Sequence, residues 1–342
     1  MLRAVEFAAG ALGRTSPNPV VGAVALDAGG VVAGIGRHVA AGQPHAEVAA
    51  LREAGDRARD GTVVVTLEPC THTGRTGPCV AALLRAGVRR VVIGVLDPDP
   101  IAAGGARQLR NAGIDVVVGT AREEVEWGNR AWLTAVRRGR PFLTWKFAAT
   151  LDGRSAAADG SSRWITGETA RADVHRLRAE CDAVLVGVGT VLADDPVLTV
   201  RLPGYEGRQP LRVVADTTHR TPSGARVRQA GAPSWIATAA DVGTERGHVS
   251  LPALLRELYT RDCRSVLLEG GPTLAGAALA AGLVDEVVAY LAPTLLGAGT
   301  PALGESGITT ISDALRLAVR EVSPVGEDIR IVATPVVEPE EH

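Results

Sequence analysis

The chain has 342 residues, of which 46% are hydrophobic and 22% are charged, so it can form two globular domains and is neither disordered nor fibrous. A net charge of -2 and an aromatic content of 3% argue against a surface that binds nucleic acid. Four cysteines are too few for a disulfide scaffold, which favours metal ligands or reduced thiols. No apolar run is long enough to span a membrane and the first residues lack a signal-peptide core, so we expect a cytoplasmic protein.

The first 140 residues alternate helix and strand patterns. The sequence predicts a helix over 2–13, a hairpin from 20–26 and 31–35, helices over 46–58, 80–86 and 105–112, strands over 62–67, 91–95 and 114–118, and a polar helical stretch over 121–139. Continuous apolar strands separated by helices are typical of an α/β sandwich with a largely parallel sheet.

Gly139-Arg140-Pro141 ends the helical stretch and predicts a domain boundary, which gives domains 1–140 and 141–342. In the second domain we predict strands over 142–149, 183–188, 211–215, 233–238, 265–269 and 284–292, helices over 168–180, 252–259 and 273–281, and a final antiparallel pair, 315–322 with 328–334. These segments indicate a second α/β domain.

Three residues in the first domain have the types and order of zinc ligands. His45 opens a helix, Cys70 follows the next strand, and Cys79 opens the helix after that. Such a set leaves the fourth zinc position for water, and Glu47, two residues from His45, could move that water's proton. This is the order of the zinc deaminase signature, although eight residues separate the cysteines instead of two. A structural zinc site, or buried thiols with a core histidine, are alternative interpretations.

The long segment between the two cysteines carries a family resemblance. Residues 69–79 read PCTHTGRTGPC and, with SPNP at 16–19, resemble the RibD family of riboflavin biosynthesis, in which a pyrimidine deaminase is joined to a reductase. The usual Thr-Pro-Pro-Cys of that family reads Thr-Gly-Pro-Cys here. Arg75 and His72 could bind a substrate phosphate, and Asn18 could hydrogen-bond a pyrimidine edge. Arg75 as a solvated loop charge and Asn18 as a turn residue remain alternatives.

Two glycine-containing turns in the second domain are suited to the phosphates of a dinucleotide. Gly187–Thr190 and Glu269–Leu274 each follow a strand and open a helix, where free N–H groups can bind phosphate. Each turn could equally be an ordinary strand-to-helix connection. The stretch 297–302 fits only a looser dinucleotide-binding pattern, which Pro301 weakens. Lys146 is the single lysine among 36 cationic residues, which suggests a need for a titratable amine.

Residues 146–154, 161–166, 194–201 and 269–273 extend the resemblance to the reductase half of RibD, which is similar to dihydrofolate reductase in fold and uses NADPH. The resemblance implies that the substrate contacts Ser162, Arg178, Leu198, Arg201 and Glu269. It implies that NADPH contacts Ala149, Trp164, Thr190, Asp194, Gly270, Gly271, Pro272, Thr273, Leu274 and Ala275. It also implies that Lys146 lies near the reacting carbon. Trp164, taken alone, is as well explained as a core residue.

These observations together predict a bifunctional riboflavin biosynthesis enzyme. Its N-terminal domain would be a cytidine-deaminase-like α/β/α sandwich, and its C-terminal domain a dihydrofolate-reductase-like α/β fold. Zinc-dependent hydrolytic deamination of 2,5-diamino-6-ribosylamino-4(3H)-pyrimidinone 5′-phosphate would precede NADPH-dependent reduction to 5-amino-6-ribitylamino-uracil 5′-phosphate. We expect a homodimer that binds a small molecule and neither nucleic acid nor membrane. The alternatives are a single-activity nucleobase or nucleoside deaminase, a nucleic-acid-editing protein and a non-catalytic protein stabilised by zinc.

Overall fold

The computed structural model describes residues 1–72 and 77–336. The chain divides into one compact unit from Met1 to Gly139 and a second unit from Arg140 onward. Arg75, a predicted phosphate ligand, lies outside the described residues. Within the described ranges, no helix combines the length and the apolar character that a membrane crossing requires.

The first unit is built on one five-stranded sheet. Its elements are α1 (Leu2–Ala9), β1 (Gly22–Leu26), β2 (Val32–Arg37), α2 (Ala46–Ala54), β3 (Thr62–Leu67), α3 (Cys79–Ala86), β4 (Arg90–Val95), α4 (Gly105–Asn111), β5 (Asp115–Val118), α5 (Arg122–Gly128) and α6 (Arg130–Arg138). The strand order is β2-β1-β3-β4-β5. The predicted hairpin pairs β1 with β2, and β1 also pairs antiparallel with β3, so β1 runs opposite to β2, β3, β4 and β5, which all share one direction. The connection through α2 carries the chain from β2 past β1 to β3. β1 therefore lies between β2 and β3, and both run opposite to it.

Helices cover both faces of this sheet. Ala23 and Val63 point to one face, where they pack in a core cluster with Ala50 of α2 and Leu83 of α3. The next residue along β1, Val24, points to the other face and packs with Ala4 of α1. Because side chains alternate along a strand, both faces of the sheet are apolar and each is buried against a helix.

Three predicted helices differ from the observed ones. The helix predicted over 2–13 ends at Ala9. The stretch predicted as helical over 121–139 is interrupted at Asn129, which lies between α5 and α6. Its φ of -119° is outside the helical range. The buried side chain of Asn129 accepts a hydrogen bond at 3.1 Å from the backbone N–H of Val20. The helix predicted over 46–58 ends at Ala54 because Gly55 adopts a left-handed φ of 56°, and a 3₁₀ turn follows.

The second unit is built on an eight-stranded sheet of order β10-β9-β8-β13-β6-β14-β17-β16. Its elements are β6 (Phe142–Thr150), β7 (Arg154–Ala156), α7 (Glu168–Glu180), β8 (Ala183–Gly187), α8 (Val188–Asp194), β9 (Leu211–Ala215), β10 (Ser234–Ala237), α9 (Ala239–Val242), β11 (Thr244–Glu245), β12 (His248–Val249), α10 (Leu251–Thr260), β13 (Ser265–Leu268), α11 (Pro272–Ala280), β14 (Glu286–Ala292), β15 (Thr300–Pro301), β16 (Leu317–Val325) and β17 (Asp328–Pro335). The predicted antiparallel pair at the C-terminal end is confirmed as β16 and β17. The small strands β7, β11, β12 and β15 and the helix α9 are additions that the sequence did not predict.

The parallel strands of the second unit bring several loops to one edge of the sheet. β10, β9, β8, β13, β6 and β14 run in the same direction, so their carboxyl ends lie together. Gly187 ends β8, Ala215 ends β9 and Glu269 directly follows β13. In open α/β sheets this edge is where ligands bind.

Candidate active sites

The three predicted zinc ligands of the first unit are brought together. Their ligand atoms all lie within 4.8 Å of one another, and His45 Nδ1 is 3.2 Å from Cys79 Sγ and 3.5 Å from Cys70 Sγ. Tetrahedral zinc, with bonds of about 2.3 Å to sulfur and about 2.0 Å to nitrogen, would separate these atoms by about 3.5 Å. The donor types and spacings therefore fit zinc, with Nδ1 as the histidine ligand.

The local fold explains why these side chains converge. His45 is the N-cap residue of α2, and Cys79 is the first residue of α3. The backbone N–H of Cys79 points at Cys70 Sγ from 3.5 Å, so a free donor at the start of α3 faces the sulfur. The Cys79 side chain together with this N–H lowers the pKa of Cys70 to about 4, and the pKa of Cys79 is raised because it shares its proton with Cys70. A helix N-terminus thus supports the negative charge of the thiolates that bind zinc.

Glu47 lies in the first turn of α2, beside the three ligands, and is 3% exposed. Burial raises the pKa of its carboxyl group to about 7 in the metal-free site. A carboxyl group with a pKa near neutrality can both accept and return a proton, which is the property required of a general acid–base.

Asn18 is held in a fixed orientation by groups that the sequence did not single out. Its Nδ2 lies 3.0 Å from Nε2 of the buried His38, whose Nδ1 lies 3.2 Å from the carbonyl oxygen of Pro44. In the consistent arrangement, His38 donates to Pro44 and accepts from Asn18, so Asn18 Oδ1 remains available to accept from a ligand. Trp132 Nε1 donates to the carbonyl oxygen of Pro17 at 3.1 Å, which fixes the preceding residue as well.

His72 is the described residue of the predicted phosphate-binding pair. It is half-buried, and its Nδ1 atom has no hydrogen-bond partner among the residues that the structure describes. A buried ring nitrogen of this kind is suited to meet a polar group of a ligand.

In the second unit, Glu269 joins two cations from distant parts of the chain. Arg178 donates to it twice, from Nε to Oε1 at 2.5 Å and from Nη2 to Oε2 at 3.0 Å, and Lys146 Nζ lies 3.4 Å from Oε2. The side chains of Glu269, Arg178 and Lys146 are 8%, 11% and 15% exposed. Burial alone would raise the pKa of Glu269, but Arg178 and Lys146 hold it at about 2. Glu269 is therefore an ionised carboxylate that orients the single lysine of the chain.

The two arginines that the sequence suggested for a ribose phosphate differ in how they are engaged. Arg178 also donates from Nη1 to the carbonyl oxygen of Thr199 at 3.1 Å, so three of its five N–H groups are engaged by the protein. Arg201 makes no side-chain hydrogen bond or ion pair with any described residue. Its backbone N–H donates to Nδ1 of His175, and burial together with Arg178 and Arg201 lowers the pKa of His175 to about 4, which keeps the imidazole neutral. Arg201 is thus the arginine that is free to bind an anion.

A cavity of about 810 Å³ lies at the carboxyl ends of the strands in the second unit. Its volume is within the range of small-molecule and cofactor sites, about 300–1,000 Å³. The lining includes the predicted cofactor residues Thr190, Asp194, Gly270, Gly271, Pro272, Thr273 and Leu274 and the predicted substrate residues Ser162 and Glu269. Gly187–Gly189 at the start of α8 and Gly271 at the start of α11 also line it. A cavity with two such turns fits an elongated dinucleotide such as NADPH.

Comparison with known proteins agrees with both sites. Residues 1–95 match the model of the cytidine and deoxycytidylate deaminase zinc-binding region, and residues 141–331 match the RibD C-terminal domain. The chain is 48% identical over 329 residues to the riboflavin biosynthesis protein RibD of Mycobacterium tuberculosis, covering 95% of this chain and 94% of the relative. The chain belongs to the RibD family.

Further RibD relatives extend this match to solved structures. The RibD of Escherichia coli is 42% identical, with 96% of each chain covered. A RibD structure from Acinetobacter baumannii superposes with a TM-score of 0.88 at 38% identity, over 98% of each chain. A deaminase/reductase structure from Thermotoga maritima gives a TM-score of 0.89 at 37% identity, covering 98% of this chain and 97% of that one.

RibD membership confirms several predictions from the sequence. The chain is a bifunctional enzyme of riboflavin biosynthesis, with a zinc-dependent deaminase and an NADPH-dependent reductase. Its architecture is the predicted pair of α/β domains, with the cytidine-deaminase-like domain first and the reductase domain second. The single-activity deaminase and the non-catalytic zinc protein are thereby set aside.

Some residues that the RibD resemblance assigned to ligands have side chains that the cavity does not reach. Ala149 and Ala275 are fully buried, and neither is among the residues that line the cavity, so their predicted contact with NADPH stays a prediction. Leu198 is 2% exposed and packs in a cluster with Val214, so only its backbone, at a left-handed φ of 59°, could face a ligand. Trp164 is 69% exposed, lies outside the cavity lining and stacks under the guanidinium of Arg171 at 4.4 Å, so it is not a core residue.

Proposed function

We propose that the first unit deaminates 2,5-diamino-6-ribosylamino-4(3H)-pyrimidinone 5′-phosphate and that the second unit reduces the ribosyl group of the product to a ribityl chain. The observation that carries the proposal is the presence, in one chain, of a His/Cys/Cys cluster beside buried Glu47 and of a cavity whose lining includes Glu269. The Thermotoga maritima relative is named as a deaminase and reductase of phosphoribosylaminopyrimidines, which agrees with this substrate class.

In the deaminase site, His45, Cys70 and Cys79 would hold zinc, which lowers the pKa of water to about 7 when bound. Glu47 takes a proton from the attacking water and returns it to the departing amine. The ring carbon thereby exchanges a C–N bond for a C–O bond, and ammonia leaves. Asn18 Oδ1 accepts from an N–H of the pyrimidine, because Asn18 Nδ2 is already turned toward His38. Arg75 and His72 bind the 5′-phosphate.

In the reductase site, NADPH supplies the reducing equivalents when bound in the cavity. Lys146 Nζ holds the proton that passes to the ribose ring oxygen as the bond to C1′ opens. Glu269 keeps that ammonium group in place from 3.4 Å, and Arg178 keeps Glu269 ionised. Arg201 and Ser162 bind the polar groups of the ribose phosphate.

Mass analysis of the products tests the two activities separately. Zinc-loaded protein is incubated with the diaminopyrimidine ribosyl phosphate, with and without NADPH. We expect the amine-to-oxo change in both reactions and a further gain of two hydrogens only with NADPH. Glu47→Gln should abolish the first change and still reduce the deaminated intermediate when that compound is supplied. Reduction without deamination in the wild type, or no reaction with this substrate, would contradict the proposed substrate and order.

We further propose that the enzyme is a cytoplasmic homodimer that does not act on nucleic acid. Support for a dimer comes from the outer strands β16 and β17, where Val319, Val322 and Ile329 are 61%, 62% and 43% exposed. Exposed apolar side chains in neighbouring strands are typical of an interaction surface. Sedimentation of the full chain with Val322→Glu tests the dimer, and an electrophoretic shift assay tests nucleic-acid binding.

A further inference from the structure

The cavity of the second unit extends well beyond the loops that the sequence assigned to NADPH. Besides Ser162 and Glu269, its lining includes Arg220, on the loop after β9, and Arg246, on the β11–β12 hairpin. The apolar residues Val249, Leu251 and Pro252, which follow Arg246 closely along the chain, line the cavity too. This region, which we call the distal end, is an apolar surface with two cations beside it.

The segments that carry the two arginines are tied together. The backbone N–H of Val249 donates to Thr217 Oγ1 at 3.1 Å, which joins β12 to the loop after β9. Asp216 anchors that loop by accepting from the N–H groups of Arg220 and Thr221 at 2.9 and 2.7 Å. The distal end is therefore built by two braced segments rather than by independent loops.

The guanidinium groups of Arg220 and Arg246 are exposed and make no hydrogen bond or ion pair with another side chain among the described residues. Asp216 is the acid that Arg220 faces electrostatically, but both Asp216 oxygens already accept hydrogen bonds from the loop. Two fork-shaped groups with free donors beside an apolar surface are suited to a phosphate carried by an aromatic nucleoside.

We propose that Arg220 and Arg246 bind the 2′-phosphate of the adenosine half of NADPH and thereby make the reductase select NADPH over NADH. The inference rests on the proposed function, because it requires the cavity to hold the dinucleotide. The adenine lies on the apolar side chains of the distal end, the pyrophosphate meets the glycine turn before α11, and the nicotinamide points toward Glu269 and Lys146. The dinucleotide thus binds in a single orientation, with its adenosine at the distal end.

One acidic group competes with this assignment. Glu245 also lines the distal end, and a carboxylate there could accept from the free 2′-hydroxyl of NADH and repel a phosphate. Ser250 Oγ, which caps the start of α10, lies 3.3 Å from Glu245 Oε2 and engages one oxygen of the carboxylate. Arg220 and Arg246 together carry more positive charge than Glu245 carries negative charge. The distal end therefore favours a 2′-phosphate over a 2′-hydroxyl.

Binding of two nucleotides that differ only in the 2′-phosphate tests the proposal without relying on turnover. Titration calorimetry of the full chain with 2′,5′-ADP and with 5′-AMP should give a preference for 2′,5′-ADP. Arg220→Gln and Arg246→Gln should each reduce that preference about tenfold, the effect of losing one charge-assisted hydrogen bond of about 1.4 kcal/mol. Arg256→Gln, an exposed arginine of α10 outside the cavity lining, should leave the preference unchanged.

Kinetic discrimination should follow the binding data. In both arginine variants the KM for NADPH should rise toward that for NADH, while kcat at saturating NADPH stays near the wild-type value. An unchanged preference for 2′,5′-ADP in both variants, together with weaker NAD⁺ binding in Glu245→Gln, would overturn the arginine assignment in favour of a 2′-hydroxyl site. If wild-type protein binds neither nucleotide nor NADP⁺, the cavity is not the dinucleotide site and the proposed function of the second unit fails with it.

Discussion

Arg178→Met removes the bidentate partner of Glu269 while keeping an apolar side chain of similar reach. Glu269 would then be a buried carboxylate with only Lys146 beside it, at 3.4 Å. The pKa of Glu269 is about 2 in the folded protein against an ordinary value of 4.5. A shift of that size corresponds to about 3 kcal/mol of stabilisation, and breaking a buried ion pair typically costs about 3–5 kcal/mol. We therefore expect Arg178→Met to lower the free energy of unfolding of the second unit by about 3 kcal/mol at pH 7.

The effect should depend on pH in a defined direction. Because the pKa of Glu269 is lower in the folded protein than in the unfolded chain, its contribution is fully present above about pH 4.5 and is lost as the pH falls toward 2. Wild-type protein should lose about 2 kcal/mol of this contribution by pH 3, a loss that Arg178→Met should not show. Urea unfolding followed by circular dichroism measures the free energies, and hydrogen exchange of β6, β8 and β13 assigns them to the second unit.

A neighbouring arginine provides a matched control. Arg176 lies on the same helix, α7, and its side chain is 64% exposed beside Asp173. Arg176→Met should cost less than about 1 kcal/mol, because the arginine is exposed and the buried Asp173 keeps Tyr290 and Arg330 as partners. In a double-mutant cycle, Arg178→Met with Glu269→Gln should cost less than the two single changes added together. A cost below about 1 kcal/mol for Arg178→Met, or additive single effects, would refute the description of this group as a coupled buried pair.

Three other predictions concern the first unit. Glu47→Gln should keep its zinc and slow deamination at least about a hundredfold, with NADPH-dependent reduction unchanged; wild-type deamination by this variant would exclude Glu47 as the acid–base group. Cys79→Ala should lower zinc from roughly one ion per chain to almost none by elemental analysis, and full retention would contradict the assigned ligand set. Gly36→Ala would bring a Cβ atom to 2.1 Å from the carbonyl oxygen of Ala46 at the start of α2. It should destabilise the unit by at least about 2 kcal/mol in thermal unfolding, whereas Gly224→Ala, with no neighbour within 4 Å, should be neutral.

The deaminase site could be predicted from the sequence to a greater extent than the reductase site. Its three zinc ligands come from consecutive elements of the chain: His45 and Cys79 start helices, and Cys70 follows the strand between those helices. The strand and helix pattern alone therefore predicts that they converge. The partner of Asn18 could not be predicted, because His38 carries no motif and lies 20 residues away.

The reductase site depends on pairings that cross the whole unit. Glu269 lies 91 residues from Arg178 and 123 residues from Lys146, so their contact follows only from the order of the strands in the sheet. Two sequence signals pointed to Lys146: its occurrence as the single lysine, and the RibD resemblance of residues 146–154. Arg220 and Arg246 gave no signal among so many arginines, since they reach the cavity through a loop and a small hairpin that no pattern predicted.

Two buried glutamates show how one residue type can serve two different chemistries in the same chain. Burial raises the pKa of Glu47 to about 7 although His45 opposes it, whereas Arg178 and Lys146 overcome the burial of Glu269 and lower its pKa to about 2. A carboxyl group of the first kind can gain and lose a proton at neutral pH, and one of the second kind can only hold a charge. In the proposed mechanism, the deamination requires a proton to be moved, and the reduction uses an ammonium group that is held in place. Arg178 lies beside Glu269, whereas no arginine is among the groups that shift the pKa of Glu47. This difference in arginine placement therefore separates the proposed roles of the two glutamates.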